Sequence, residues 1–256
     1  IARSFGFGVN SEAFEQWAAQ LPFMQVAHHR DDPFQVEALF IGSAGLLDTS
    51  QMNERQRAAA TADPYFVRLR NEWEYLAHKF SLTAMQRQTW RFLRLRPQNF
   101  PYIRLSQLAQ LYCSRNADLS RITTCGTLAE VRQALQTAVS PYWQTHYTFG
   151  NASCSNAKHL SPASIDLLII NAVVPMLHAY GNHRKDELLM ARANDLLISL
   201  PPEDNIHIRL WHECGITADN AADSQSLIQL HTRYCERKDC LRCRFGYHSM
   251  KQRKDT

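Results

Sequence analysis

Three cysteines fall within nine residues of the stretch YCERKDCLRCRFGYH (234–248): Cys235, Cys240 and Cys243, spaced C-x4-C-x2-C. Zinc takes four tetrahedral nitrogen or sulfur ligands, and closely spaced thiolates supply three with little loop-closure cost. The fourth position is open to His231, one helical turn before Cys235, to His248 beyond Cys243, or to Cys214. An iron–sulfur cluster is the other metal reading. The reading without metal packs three thiols as small apolar groups beneath the last helix. In either case the three cysteines should converge in space, and Arg233, Arg237, Lys238, Arg242 and Arg244 form a basic rim that favours thiolate.

A second set of residues could hold an anion. Residues 81–117 contain six arginines and no acid. Read as a helix, 83–95 puts Arg87, Arg91 and Arg94 at i, i+4 and i+7, on one face. Arg96 and Arg104 flank PQNFP, an aromatic between basic groups, which suits a phosphate backbone with base stacking. Arg242 and Arg244 extend this nucleic-acid-binding set. The alternative is internal pairing with acids elsewhere in the fold. Weaker clusters are structural: HHRDD (28–32) reads as a polar turn before Pro33, and Tyr142, Trp143, His146 and Tyr147 as a packed aromatic corner. No nucleophile–base pairing names a reaction.

The elements that must position these groups read as helices almost throughout. The stretch 34–47, FQVEALFIGSAGLL, is apolar on most faces, and its Gly42, Ser43, Ala44 and Gly45 let another backbone come close. Pro162 opens a helix that runs to Tyr180 and is apolar all round, the mark of a buried element. Pro175 cannot donate to the carbonyl of Asn171, so a kink is expected there, and Gly181 is placed to end the helix. Further helices are expected over 184–199 and from 218 to 234, with a left-handed cap at Gly215. No stretch shows clean strand alternation. The expectation is an all-α fold: one multi-helix globular domain over 1–256 with a buried central helix, ending in a basic, cysteine-containing segment, 231–256.

Bulk properties bound the class. With 45% apolar and 20% charged residues in 256, the chain is an ordinary globular protein. The apolar run 165–177 is short and interrupted, which argues against a membrane span. Seven cysteines, an odd and scattered number, point to a reducing cytoplasm rather than a disulfide framework. There are 22 arginines and 6 lysines, and 231–256 holds eight basic and three acidic residues. Arginine suits forked contacts with carboxylates and phosphates. The opening Ile-Ala-Arg, leading almost at once into SEAFEQWAAQL, reads as a piece of a longer protein.

A resemblance is carried by FLRLRPQNFPYIRLSQLAQL (92–111), LLIINAVVPMLHAYG (167–181), LPPEDNI (200–206), DSQSLIQL (223–230) and YCERKDCLRCRFG (234–246), in that order. Together with FGFGVNSEAFEQWAAQLP and VEALFIGSAGLL, they resemble the C-terminal half of an uncharacterised bacterial family, the domain of unknown function 2851 family. That family implies no assigned activity. Its N-terminal half carries a Pro-Asp motif and a Glu-x-His segment, similar to a divergent magnesium-binding nuclease pattern; no residue of that half is present here. The resemblance therefore implies a nucleic-acid-binding accessory domain of a larger nuclease-like protein. The alternative is a structural or interaction domain that packs on the missing N-terminal half and binds no ligand.

Overall fold

A computed structural model describes residues 1–252 of the chain. The fold is all-α, with 64% helix and 2% strand. By its internal contacts the chain groups into two compact units, 1–173 and 174–256.

Among the described residues the first unit has eleven α-helices, five of which start where a short polar side chain takes up free amides. They are α1 (Ala2–Phe5), α2 (Ser11–Gln20), α3 (Phe23–Ala27), α4 (Pro33–Ser43), α5 (Glu54–Thr61), α6 (Pro64–Phe80), α7 (Pro101–Ser114), α8 (Leu119–Thr124), α9 (Leu128–Ala134), α10 (Pro141–Gln144) and α11 (Pro162–Leu168). Asp32 caps α4 and Asp63 caps α6, each followed by a proline in the first turn, where its missing amide costs nothing. Ser161 does the same for α11.

Helix α4 is the centre of this unit. Every residue from Val36 to Ser43 is buried, and α6 and α7 pack on it. Its small residues do admit close neighbours, as the sequence leads one to expect: Gly42 faces the Trp73 ring and Gly45 the carbonyl of Met85. Of the expected aromatic corner, Tyr142 packs edge-on against the fully buried Trp143 and stacks on His146, with Tyr102 and Phe149 completing the cluster, while Tyr147 lies under the Lys158 ammonium. A small antiparallel hairpin, β1 (His146–Thr148) and β2 (Asn151–Ala152), lies where the sequence shows no clean strand alternation. Three- and two-residue strands are too short to show a period.

Helix α11 runs into a π turn at Ile169–Val173, just ahead of Pro175. The wider i→i+5 pattern is one of the identifiable ways a helix departs from regularity near a proline. The helical stretch Pro162–Arg184 has 23 residues and is, by length and composition, apolar enough to cross a membrane. That revises the expectation drawn from 165–177 alone. Its most apolar window is 44% buried in the protein, and its Asp166 receives a forked ion pair from Arg132 at 2.8 and 2.9 Å.

The second unit comprises α12 (Val174–Arg184), α13 (Glu187–Ser199), α14 (Ile206–Glu213), α15 (Ala221–Leu230) and α16 (Arg244–Gln252). Helix α12 continues past Gly181, whose lack of a side chain admits Met190 of α13; left-handed Lys185 follows its last residue. Gly215 does take the left-handed conformation after α14. Helix α15 packs on α13 and α14, and the Trp211 indole donates to the carbonyl of Leu227 at 3.0 Å.

Candidate functional site

The arginine segment is not a helix. After α6 the chain turns through left-handed Ser81 and proceeds in extended form, with single 3-10 turns at Arg87–Thr89 and Pro97–Asn99. Long-range clamps hold it. The Met85 amide donates to Ser43, the Arg87 amide to the Gln51 side chain, and the Trp90 indole to Ala44. Asn10 grips both sides of Arg91: its side-chain oxygen accepts from the Arg91 amide at 2.9 Å and its amide donates to the Arg91 carbonyl at 3.0 Å. Helical i, i+4, i+7 spacing therefore has no bearing on where these side chains go.

The set divides accordingly. Arg87 turns inward, donating to the carbonyl of Leu46 and the Tyr102 hydroxyl over the rings of Phe92 and Tyr102. Arg104 is 7% exposed and unavailable to a phosphate backbone. Its guanidinium lies over Phe7 and donates to Gln107 at 3.0 Å and Asn99 at 2.7 Å, while its Nε has no partner. Burial lowers its pKa to about 10. Arg91, Arg94 and Arg96 are exposed, and none makes an ion pair among the described residues. Arg94 sits in the left-handed region, and Leu93 beside it is 84% exposed. Arg242 and Arg244 belong to the second unit; both are exposed, and Arg242 lies 3.8 Å from Asp239.

The first unit also buries a carboxylate that the reading of the sequence passed over. Glu37, in the middle of apolar α4, is 1% exposed. It accepts from the Tyr65 hydroxyl at 2.7 Å, the Ser106 hydroxyl at 3.1 Å and the Trp143 indole. Burial raises its pKa against the lowering effect of these donors. Burial raises the tyrosines too, so Tyr65 and Tyr142 stay protonated donors. Tyr142 stacks between Tyr65 and His146 at 4.0 and 4.1 Å and donates to Asp63, forming one wall of an open groove of about 540 Å³. A lone acid in an otherwise apolar run was the available signal, since a buried carboxylate demands donors.

In the second unit, Cys235 and Cys240 are exposed and Cys243 is buried; Cys214 is exposed at the end of α14. Burial raises the Cys235 thiol pKa first, and the charges of Cys243 and Cys240 raise it further. His231 does not turn to them. Its Nδ1 faces His207 Nδ1 at 3.1 Å and Glu236 Oε1 at 3.4 Å. Among the described residues, the ligand atoms of His207, His231 and Glu236 form a triad within 4.8 Å of one another. His248 is exposed in α16.

No curated protein and no solved structure matches this chain. One family model does, over residues 1–206, which take in the arginine loop and the Glu37 network but not the cysteines at 235–243. On that match the chain belongs to the family described as protein of unknown function (DUF2851).

Proposed function

We propose that this protein binds nucleic acid through Arg91, Arg94 and Arg96, as an accessory domain of a larger nuclease-like protein. One observation carries the reading: three exposed guanidinium groups lie without an ion pair among the described residues, on a loop whose backbone Asn10 holds in place. Like charges gathered without acids repel one another, and a polyanion relieves that repulsion while releasing its own counterions. Leu93 and the half-buried Phe92 and Phe100 supply apolar surface for a base.

The test is retention of labelled single- and double-stranded oligonucleotides as a function of salt. Three phosphate contacts predict that the logarithm of the binding constant falls against the logarithm of salt with a slope of roughly −2 to −3. No binding, or binding indifferent to salt, would overturn the reading. A second reading, an interaction domain that packs on an N-terminal half, rests on Leu93, whose 84% exposure amid the loop suits a protein partner. As part of the proposal, these residues form the C-terminal half of a longer protein, which the sequence upstream of Ile1 tests. The proposal also assigns the protein to a reducing cytoplasm, a choice that seven free cysteines support.

A further inference from the structure

We infer that His207, His231 and Glu236 bind a divalent transition-metal ion of the zinc class, at a site separate from the cysteine cluster. The reasoning starts from the helix turn that makes it. In an α-helix a residue five positions on points roughly 140° away around the axis, so His231 and Glu236 would face apart. The chain instead forms a π turn over His231–Cys235, and the Glu236 amide donates to the His231 carbonyl at 2.9 Å, an i→i+5 bond. The wider turn brings Glu236 back to the side of His231.

His207 comes from α14, whose first turn Asn205 fixes by accepting from the amides of His207 and Ile208. The Trp211 indole, one turn further on, ties α14 to α15. Three lone-pair donors from two elements thus meet at one point.

The distances suit a cation. Bonds of about 2.0–2.2 Å in a tetrahedral site set ligand atoms roughly 3.3–3.6 Å apart. The His231–Glu236 pair stands at 3.4 Å, within that range, and the His207–His231 pair at 3.1 Å, a few tenths of an ångström short of it. Protons alone serve this arrangement poorly. Whichever tautomer His207 takes, His231 Nδ1 can share only one proton with its two partners, whereas a metal satisfies all three ligand atoms at once. Two imidazoles and a carboxylate match zinc, and three protein ligands leave the fourth position for water.

The experiment uses the whole chain, stripped of metal and titrated with Zn²⁺ or Co²⁺ alone. We expect about one ion per chain and a rise in Tm of at least about 3 °C at saturating Zn²⁺. Bound Co²⁺ should show visible d–d bands without the near-ultraviolet thiolate-to-metal band. His207→Asn and His231→Asn should each weaken binding at least tenfold, while the triple change of Cys235, Cys240 and Cys243 to serine leaves it intact. Circular dichroism checks that the variants fold, and the parent protein's own stoichiometry and Co²⁺ spectrum decide the matter if they do not. Absence of binding, a thiolate band, or loss of the ion only in the cysteine variant would each overturn the assignment.

Discussion

The indole N–H of Trp143 donates to the carboxylate of Glu37, 106 positions earlier in the chain. Tyr65 and Ser106 add two hydroxyl donors. The carboxylate is buried, and its pKa in the folded protein is raised above that of the unfolded chain. A group of this kind contributes stability that is full below its unfolded pKa and is lost as pH rises through the folded one. We expect Glu37→Gln, which cannot ionise, to gain in Tm on the parent protein as pH rises from about 4 to about 8. A flat difference, or one of opposite sign, would sink this account. Glu37→Ala should behave otherwise. It leaves three donors unpaired at about 1–3 kcal/mol for each buried group, so denaturant titration should show a loss of at least about 2 kcal/mol.

Arg91 and Arg94 on one side, and Arg104 on the other, give a contrast that composition alone cannot. Reversing the charge of both exposed arginines should lower oligonucleotide affinity at least tenfold and change stability by no more than about 0.5 kcal/mol. Arg104→Met should leave binding unchanged and stability within about 1 kcal/mol, because removing a buried charge offsets its lost hydrogen bonds. Binding assays and thermal melts on the same preparations separate the two. Loss of binding in the Arg104 variant alone would contradict the inward placement of that side chain.

Gly45 has a φ of +71°, and a Cβ added to it would meet the Met85 carbonyl oxygen at 1.9 Å. Left-handed strain costs about 1–2 kcal/mol by itself. The clash must also displace the strand-like segment that the Met85 amide anchors to Ser43. Gly45→Ala should therefore cost more than about 2 kcal/mol, seen as a fall in the denaturation midpoint. A change smaller than that would mean the arginine loop is not held from this side.

Lys158 is 5% exposed and donates from Nζ to the carbonyls of Trp143, Gln144 at 2.9 Å and His146 at 3.1 Å. It closes the end of α10, which is too short to satisfy its own carbonyls. Lys158→Met retains the apolar stem but removes the donors, and should cost about 2–4 kcal/mol. Equal stability in the methionine variant would assign the residue's contribution to its stem.

How much of this was legible follows from the range of the interactions. The caps, prolines and apolar periodicity of α4, α6 and α13 lie within a few residues of one another, so the helical class could be read directly. The arginine segment fails for the opposite reason. Asn10 and Gln51, 81 and 36 positions away, determine its path, and no window over 83–95 contains them. Helical spacing of like residues is then a coincidence of sequence. His231 is a similar case: its partner is His207, 24 positions earlier, while the cysteine spacing drew attention to itself. Clusters that are close in sequence are easy to see; those assembled by packing are not.

The anchoring of Trp211 to Leu227 has an optical consequence. Of the five tryptophans, Trp17, Trp73, Trp90 and Trp143 belong to residues 1–173, and Trp211 alone to 174–256. It stands one turn from His207 on α14. With the other four replaced by phenylalanine, the emission of the chain becomes a private signal from the second unit. Its quenching and wavelength would then follow the state of the imidazole pair directly, without a label.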